Sequence, residues 1–296
     1  MYNGIINVYK EKGYTSFDVV ARMRGICGQK KIGHTGTLDP DAEGVLPVCL
    51  GKATKVCDML TDSDKVYRAV MQLGIETDTQ DLTGTVLSAC EVPVLTETEI
   101  RDVIRTFQGE IMQVPPMYSA LKVNGQKLCD LARRGIEVER KPRHATISRL
   151  ELVSFDGTDG VLDVDCSGGT YIRTLINDIG ESVCTGAVMT SLCRTKSCGF
   201  TLEQCHELDE VRNASPERLE KWLLPVSELF APLPEIPLDE VQTRMYLNGV
   251  RLDAERLLKR APVDELARVT AGGEFLGVGK INAEGELVSI KQFRSE

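Results

Sequence analysis

A chain of 296 residues that is 42% hydrophobic and 27% charged is long enough to bury a sizeable core and too apolar to stay disordered. No run approaches the ~18 apolar residues of a membrane-crossing helix, and the opening MYNGIINVYKEKGYTS lacks the basic-then-apolar pattern of a secretory leader. The expectation is a cytoplasmic protein with no membrane partner, whose 44 acidic against 35 basic residues argue by themselves against a polyanionic ligand.

In chain order, residues 3–9 read as a strand. Ser16 offers the N-cap of a helix to about Ile26, closed by Gly28. Glycines and a proline make 31–44 an exposed loop. VLPVCLG and KVYRAVMQLG are strands around a short helix, and Thr96 with Glu99 forms a capping box opening a helix to about Phe107. Asn124-Gly125 is a turn, followed by a helix that Gly135 ends. ATISRLELVSF and GVLDVDC are strands, TYIRTLINDIGESV is an amphipathic helix, and Ser215-Pro216 starts a helix bearing Trp222. APLPEIP at 231–237, with three prolines, reads as a stiff connector. It divides a domain at 1–230 from a small β-rich one at 238–296, built from one helix (LDEVQTRMYLNG) and three strands (ELARVTA, EFLGVGKI, ELVSIKQF).

Charge is unevenly spread. From Met117 to Arg149 eight Lys and Arg stand against Asp130, Glu137 and Glu139, which makes either a solvated face or a phosphate-binding surface. Ten cysteines without a CxxC pair read as free thiols. Cys193, Cys198, Cys205 and His206 lack the spacing of a zinc finger or ribbon, so no metal is expected there. The densest chemistry is in GHTGTLDPDAEGVL, residues 33–46. Its carboxylates are open to several readings: a divalent-cation site, an Asp39 nucleophile with Asp41 as acid/base, one carboxylate acting alone on an enclosed substrate, or an inert Asp-Pro turn. No apolar strand precedes Asp39, which counts against the second.

GHTGTLDPDAEGVLPVCLGKATK resembles the signature of the TruB family of tRNA pseudouridine synthases. Further segments follow in that family's order: KVYRA (65–69), TDTQDLTG (77–84), QVPPMYSALKVNG (113–125) with LARRG (131–135), CSGGTYIRTLINDIG (166–180) and SLCRT (191–195). The resemblance implies a mixed α/β (α+β) pseudouridine-synthase fold, with a central, mainly antiparallel sheet crossed by a catalytic cleft and a PUA-like C-terminal domain. It implies an isomerase that flips uridine 55 out of the tRNA T-loop, breaks C1′–N1, turns the uracil and joins C5 to C1′, without cofactor or metal. The implied partner is the T-arm stem-loop of tRNA, bound by a monomer with no protein partner.

The resemblance also distributes roles. Asp39 of GTLDP becomes the essential catalytic group and Arg173 of TYIRT its ion-pair partner, opposing the burial that raises a carboxylate pKa. Tyr67 of KVYRA is the catalytic tyrosine that stacks on the target base and takes its C5 proton, Leu192 forms the opposite wall, and His34 fills the place the flipped base leaves. Lys10 and Lys12, in KEKGYTS, and Arg133, Arg134, Arg140 and Lys141, in an insertion at about 113–149, would meet the RNA. Glu11, Cys129 and Cys198-Gly199 depart from the family pattern at positions that touch RNA contact rather than chemistry. Two rivals come from other classes. One is an RNA chaperone using the same surface without catalysis; the other is a Mg²⁺-dependent aspartyl hydrolase using Asp39 and Asp41, which EDTA would inhibit.

Overall fold

Burial alternates with a period of two along Lys65–Leu73, Arg143–Phe155 and Asp159–Cys166, whereas Gly4–Lys10 and Glu43–Leu50 are buried on both faces, so the central sheet carries core on both sides. The computed structural model describes residues 1–293; residues 294–296, the end of the expected 238–296 domain, lie outside the described residues. The sheet runs in the order Gly4–Lys10, Glu43–Leu50, Ala187–Ser197, Lys65–Leu73, Asp159–Cys166, Arg143–Phe155 and Gly109–Gln113. Neighbours along this path are antiparallel except Glu43–Leu50 with Ala187–Ser197, so the sheet is mixed and mainly antiparallel, as expected. Two cores result. Helix Ile172–Ser182 buries Ile172, Leu175, Ile176 and Ile179 against Leu73, Leu152, Leu162 and Val164. Helix Ser16–Cys27 buries Val19, Val20 and Met23 against Ile6, Val8, Leu46 and Val48.

Register places the chemistry. The parallel pairing sets Glu43 beside Cys193, which brings the end of the 35–42 loop to the middle of the Ala187–Ser197 strand. The antiparallel pairing sets Arg194 opposite Tyr67 and Leu192 opposite Ala69. Paired residues project to one face, so Tyr67 and Arg194 meet beneath the loop that carries Asp39.

Three expectations change. Thr15, not Ser16, caps the first helix: its side chain accepts from Asp18 N while the Asp18 carboxylate takes the Thr15 N–H. This frees the Ser16 hydroxyl for the Asp39 loop. Segment 31–44 is not an exposed loop, because Ile32–His34 pairs with Glu43–Leu50 and Thr35, Gly36, Leu38 and Ala42 are buried. Its glycines let the backbone turn inward as readily as outward. The connector at 231–237 is shorter than expected, because Glu235–Pro237 is a strand lying parallel to Leu266–Ala271. It sits at a sheet edge, where a proline is tolerated.

That strand opens a second, five-stranded sheet in the order Glu235–Pro237, Leu266–Ala271, Glu274–Ile281, Glu286–Gln292 and Leu252–Asp253. The Asp239-capped helix Glu240–Leu247 packs its buried Tyr246 into the same core. Phe230, Val278 and Phe293 pack with Ile5, Cys49, Ala53 and Val56, and Lys291 pairs with Asp58 at 2.7 Å. The two sheets are thereby joined by apolar contact. Among the described residues no helix is long and apolar enough to cross a membrane.

Candidate active site

The Asp39 loop is held from below by side chains that spend their donors on its backbone. Ser16 Oγ accepts from Leu38 N at 2.9 Å and donates to Leu38 O at 3.3 Å. Gly13 N donates to Pro40 O at 2.9 Å, and Ala42 N to Asp39 O at 3.1 Å, closing the Asp-Pro turn. Arg194, fully buried, donates from Nε to Val45 O at 2.8 Å and from Nη2 to Gly36 O at 3.3 Å. Lys10, also fully buried, donates from Nζ to the Glu11, Pro40 and Ala42 carbonyls, and burial lowers its pKa to about 8. Lys10 is therefore a brace of the loop, buried away from any bound ligand, and not one of the expected contacts on RNA. Lys10→Met is expected to cost about 1–3 kcal/mol of stability by leaving those carbonyls unpaired, measured by urea unfolding.

Arg173 is the hub. It follows Tyr171, whose backbone exchanges two hydrogen bonds with the Gln113 side chain at 3.0 and 3.1 Å, fixing the helix start to the strand that ends at Gln113. Its buried guanidinium reaches Asp39 Oδ2 from Nε at 3.1 Å and Asp81 Oδ2 from Nη1 at 3.5 Å. It also donates to Thr79 O at 2.9 Å and Tyr118 O at 2.8 Å. Arg173 thus joins the Asp39 loop, the 79–81 turn and the root of the insertion.

Asp81 was not singled out from the sequence, although it stands in the quoted TDTQDLTG. It accepts from Thr79 Oγ1 at 2.7 Å, Thr83 Oγ1 at 2.6 Å and Thr83 N at 3.0 Å. Three nearby donors in one polar turn were the available signal. Burial pushes the Asp39 carboxyl above its ordinary value; Arg173 opposes this and the Asp81 charge adds to it.

Above the pair lies a cavity of about 810 Å³ lined by Asp39, Arg173, Leu192, His34, Lys12 and Arg133 among others. A smaller one of about 260 Å³ joins Asp39 and Arg173 to Tyr67, Leu192 and Lys65. Tyr67 is 6% exposed; burial raises its pKa, and the Arg194 guanidinium against its hydroxyl works the other way. His34 Nδ1 accepts from Gly36 N at 3.2 Å, and burial followed by the Arg194 charge lowers its pKa. It stands as a neutral ring on the cavity wall. Asp41 is exposed on the rim.

The insertion is built on a tight hairpin, Lys122–Val123 with Gln126–Lys127, whose Asn124 and Gly125 take φ of 50° and 81°, as a primed two-residue turn requires. Helix Leu128–Ala132 follows. Arg133 is exposed and pairs with Asp130 at 3.5 Å; Arg134 and Lys141 are exposed without lining the cavity. Arg140 differs: half-buried, it donates to Pro115 O at 3.1 Å and Glu137 at 3.2 Å, so it pins the insertion's two ends together. His206 stacks on Trp222 at 4.0 Å. Among the described residues no group of three or more His, Cys, Asp or Glu is placed to hold a metal.

A carboxylate–guanidinium pair at the floor of an open cavity, on a mixed and mainly antiparallel sheet, is what the resemblance to pseudouridine synthases implies. Residues 24–172 match the N-terminal domain of TruB family pseudouridylate synthase, 173–231 the tRNA pseudouridylate synthase B C-terminal domain, and 234–290 the pseudouridine synthase II TruB C-terminal region. The chain belongs to the TruB family. It is 45% identical over 286 residues to tRNA pseudouridine synthase B of Clostridium perfringens (strain 13 / Type A), covering 96% of each chain. To that of Clostridioides difficile (strain 630) it is 41% identical over 294 residues, covering 98% of each. Among solved structures, a Cbf5-Nop10-Gar1 complex matches with a TM-score of 0.75 and 28% identity over 98% of this chain and 84% of that one.

Proposed function

We propose that the chain isomerises uridine 55 in the T-loop of tRNA to pseudouridine, with Asp39 as the essential catalytic group. The observation that carries this reading is the Asp39–Arg173 contact at 3.1 Å, at the floor of a cavity walled by Tyr67 and Leu192. Breaking C1′–N1 and forming C1′–C5, with the C5 proton leaving and N1 gaining one, needs an ionised carboxylate at the reacting nucleotide, whether it attacks C1′ or C6 or takes the C2′ proton, and Arg173 opposes the burial that would neutralise it. The detached uracil must turn without leaving. The Tyr67 ring and the Leu192 side chain hold it close to the sugar, so rejoining stays intramolecular. His34, neutral and at the cavity wall, takes the place of the extruded base in the stack.

The insertion at about 113–149 closes over the stem-loop, with Arg133, Arg134 and Lys141 on phosphates, Lys12 on the opposite rim and the C-terminal 238–296 region adding RNA contacts. The enzyme acts as a cytoplasmic monomer. Incubating it with unmodified tRNA transcript and mapping pseudouridine chemically tests the reading: modification at position 55 is expected, and an unmodified transcript overturns it. Replacing Arg133, Arg134 and Lys141 together with alanine is expected to reduce the slope of log Kd against log salt by about 2. An unchanged slope would mark the stretch as a solvated face.

A further inference from the structure

Beside the catalytic cavity, and sharing Phe17 and His34 with it, runs a second groove of about 500 Å³. Phe17 and Arg24 lie seven residues apart on helix Ser16–Cys27, hence on one face two turns apart. Gly28, at φ 61°, turns the chain back and brings Lys30 and Lys31 to the groove's edge. Phe17 is 61% exposed, the only exposed phenylalanine among the described residues. Arg24 lies over its ring at 5.5 Å; its Nη2 donates to Ile32 O at 3.3 Å, while its Nε is buried without a hydrogen-bond partner among the described residues. Lys30 and Lys31 are exposed and form no ion pair among the described residues. Among the described residues no acidic side chain lines the groove, on a chain of net charge −9.

An exposed aromatic ring with a guanidinium over one face and two lysines beside it is the composition of a site for single-stranded nucleic acid, in which a base stacks on the ring's open face and phosphates meet the charges. We propose that this groove seats the RNA strand next to the flipped uridine, with one loop base on Phe17 and its flanking phosphates at Arg24, Lys30 and Lys31. The proposal rests on the reading that RNA enters at Asp39, because His34 is the wall between the two spaces. It adds a second bank to the interface, across the cavity from the basic insertion. The T-loop is then gripped on both sides of the extruded nucleotide, which favours the opened loop over the stacked one.

Binding to T-arm hairpins, each carrying one abasic nucleotide in the loop, tests this. The wild-type chain should lose about five- to tenfold in Kd at one loop position beside the target, the usual worth of one stacked base. Phe17→Ala should bind the intact hairpin more weakly by a similar factor and show no further loss at that position, while Phe17→Tyr restores both. Lys30→Ala with Lys31→Ala should reduce the salt slope by about 1–2. A Phe17→Ala variant with wild-type Kd, or one that keeps the full abasic penalty, overturns the proposal. If the wild-type chain still forms pseudouridine in tRNA, that failure leaves the reading of the Asp39 site standing.

Discussion

Asp39→Asn is expected to lower single-turnover pseudouridine formation by at least about 10³-fold while moving the tRNA Kd by no more than about threefold. The amide keeps the volume and one hydrogen bond to Arg173 but supplies neither a nucleophile nor a base. A rate within tenfold of wild type would remove Asp39 from the mechanism. Acid should act like the substitution. The Asp39 carboxyl titrates above 3.8 because burial outweighs Arg173, so the rate should fall on acidification before an ordinary aspartate would be protonated.

Stability carries the opposite sign. A carboxyl whose pKa is raised on folding contributes stability below its unfolded value, and that contribution is lost as pH rises through the folded one. At neutral pH the ionised Asp39 therefore weighs against the fold. Asp39→Asn should unfold at a urea concentration no lower than wild type, and a clear drop would contradict the assigned direction.

The second large effect is expected at Arg173. Lysine keeps the charge but loses the planar fork, and one ammonium cannot span Asp39, Asp81, Thr79 O and Tyr118 O from the same position. Arg173→Lys should slow the chemical step by about 10²-fold or more, with a smaller change in Kd. The insertion keeps its other anchors, the Arg140–Pro115 and Gln113–Tyr171 bonds. A near-normal rate with weakened, more salt-sensitive binding would make Arg173 a phosphate contact instead.

Much of this site was legible in the residue order because its parts lie in short motifs. GTLDP carries Asp39, KVYRA Tyr67, TYIRT Arg173 and SLCRT Leu192; the Tyr67 strand and the Arg173 helix also show in the residue pattern, whereas the inward turn of the Asp39 loop and the strand under Leu192 show only in the structure. Less legible was what holds those parts. Lys10 and Arg194 are cations, and a cation in a sequence reads as surface; only the register that turns both inward shows them bonded to loop carbonyls. Asp81 stood in a turn whose distance from Asp39 along the chain hid their common partner. The strand at Glu235–Pro237 was masked by two prolines close together, at 234 and 237, and depends on a long-range parallel pairing that no local pattern encodes.

The apolar seam joining Phe230, Val278 and Phe293 to Ile5, Cys49 and Val56 has a consequence for how a long RNA is measured. A module on a flexible tether searches a volume, and its second contact is diluted by that search. Here the C-terminal sheet is fastened by side-chain packing and by Lys291 on Asp58, so the search is already over before RNA arrives. If this region adds the RNA contacts proposed above, the span from the Asp39 cavity to the far sheet is a gauge of set length, and an RNA a few base pairs too short would gain nothing from the far end.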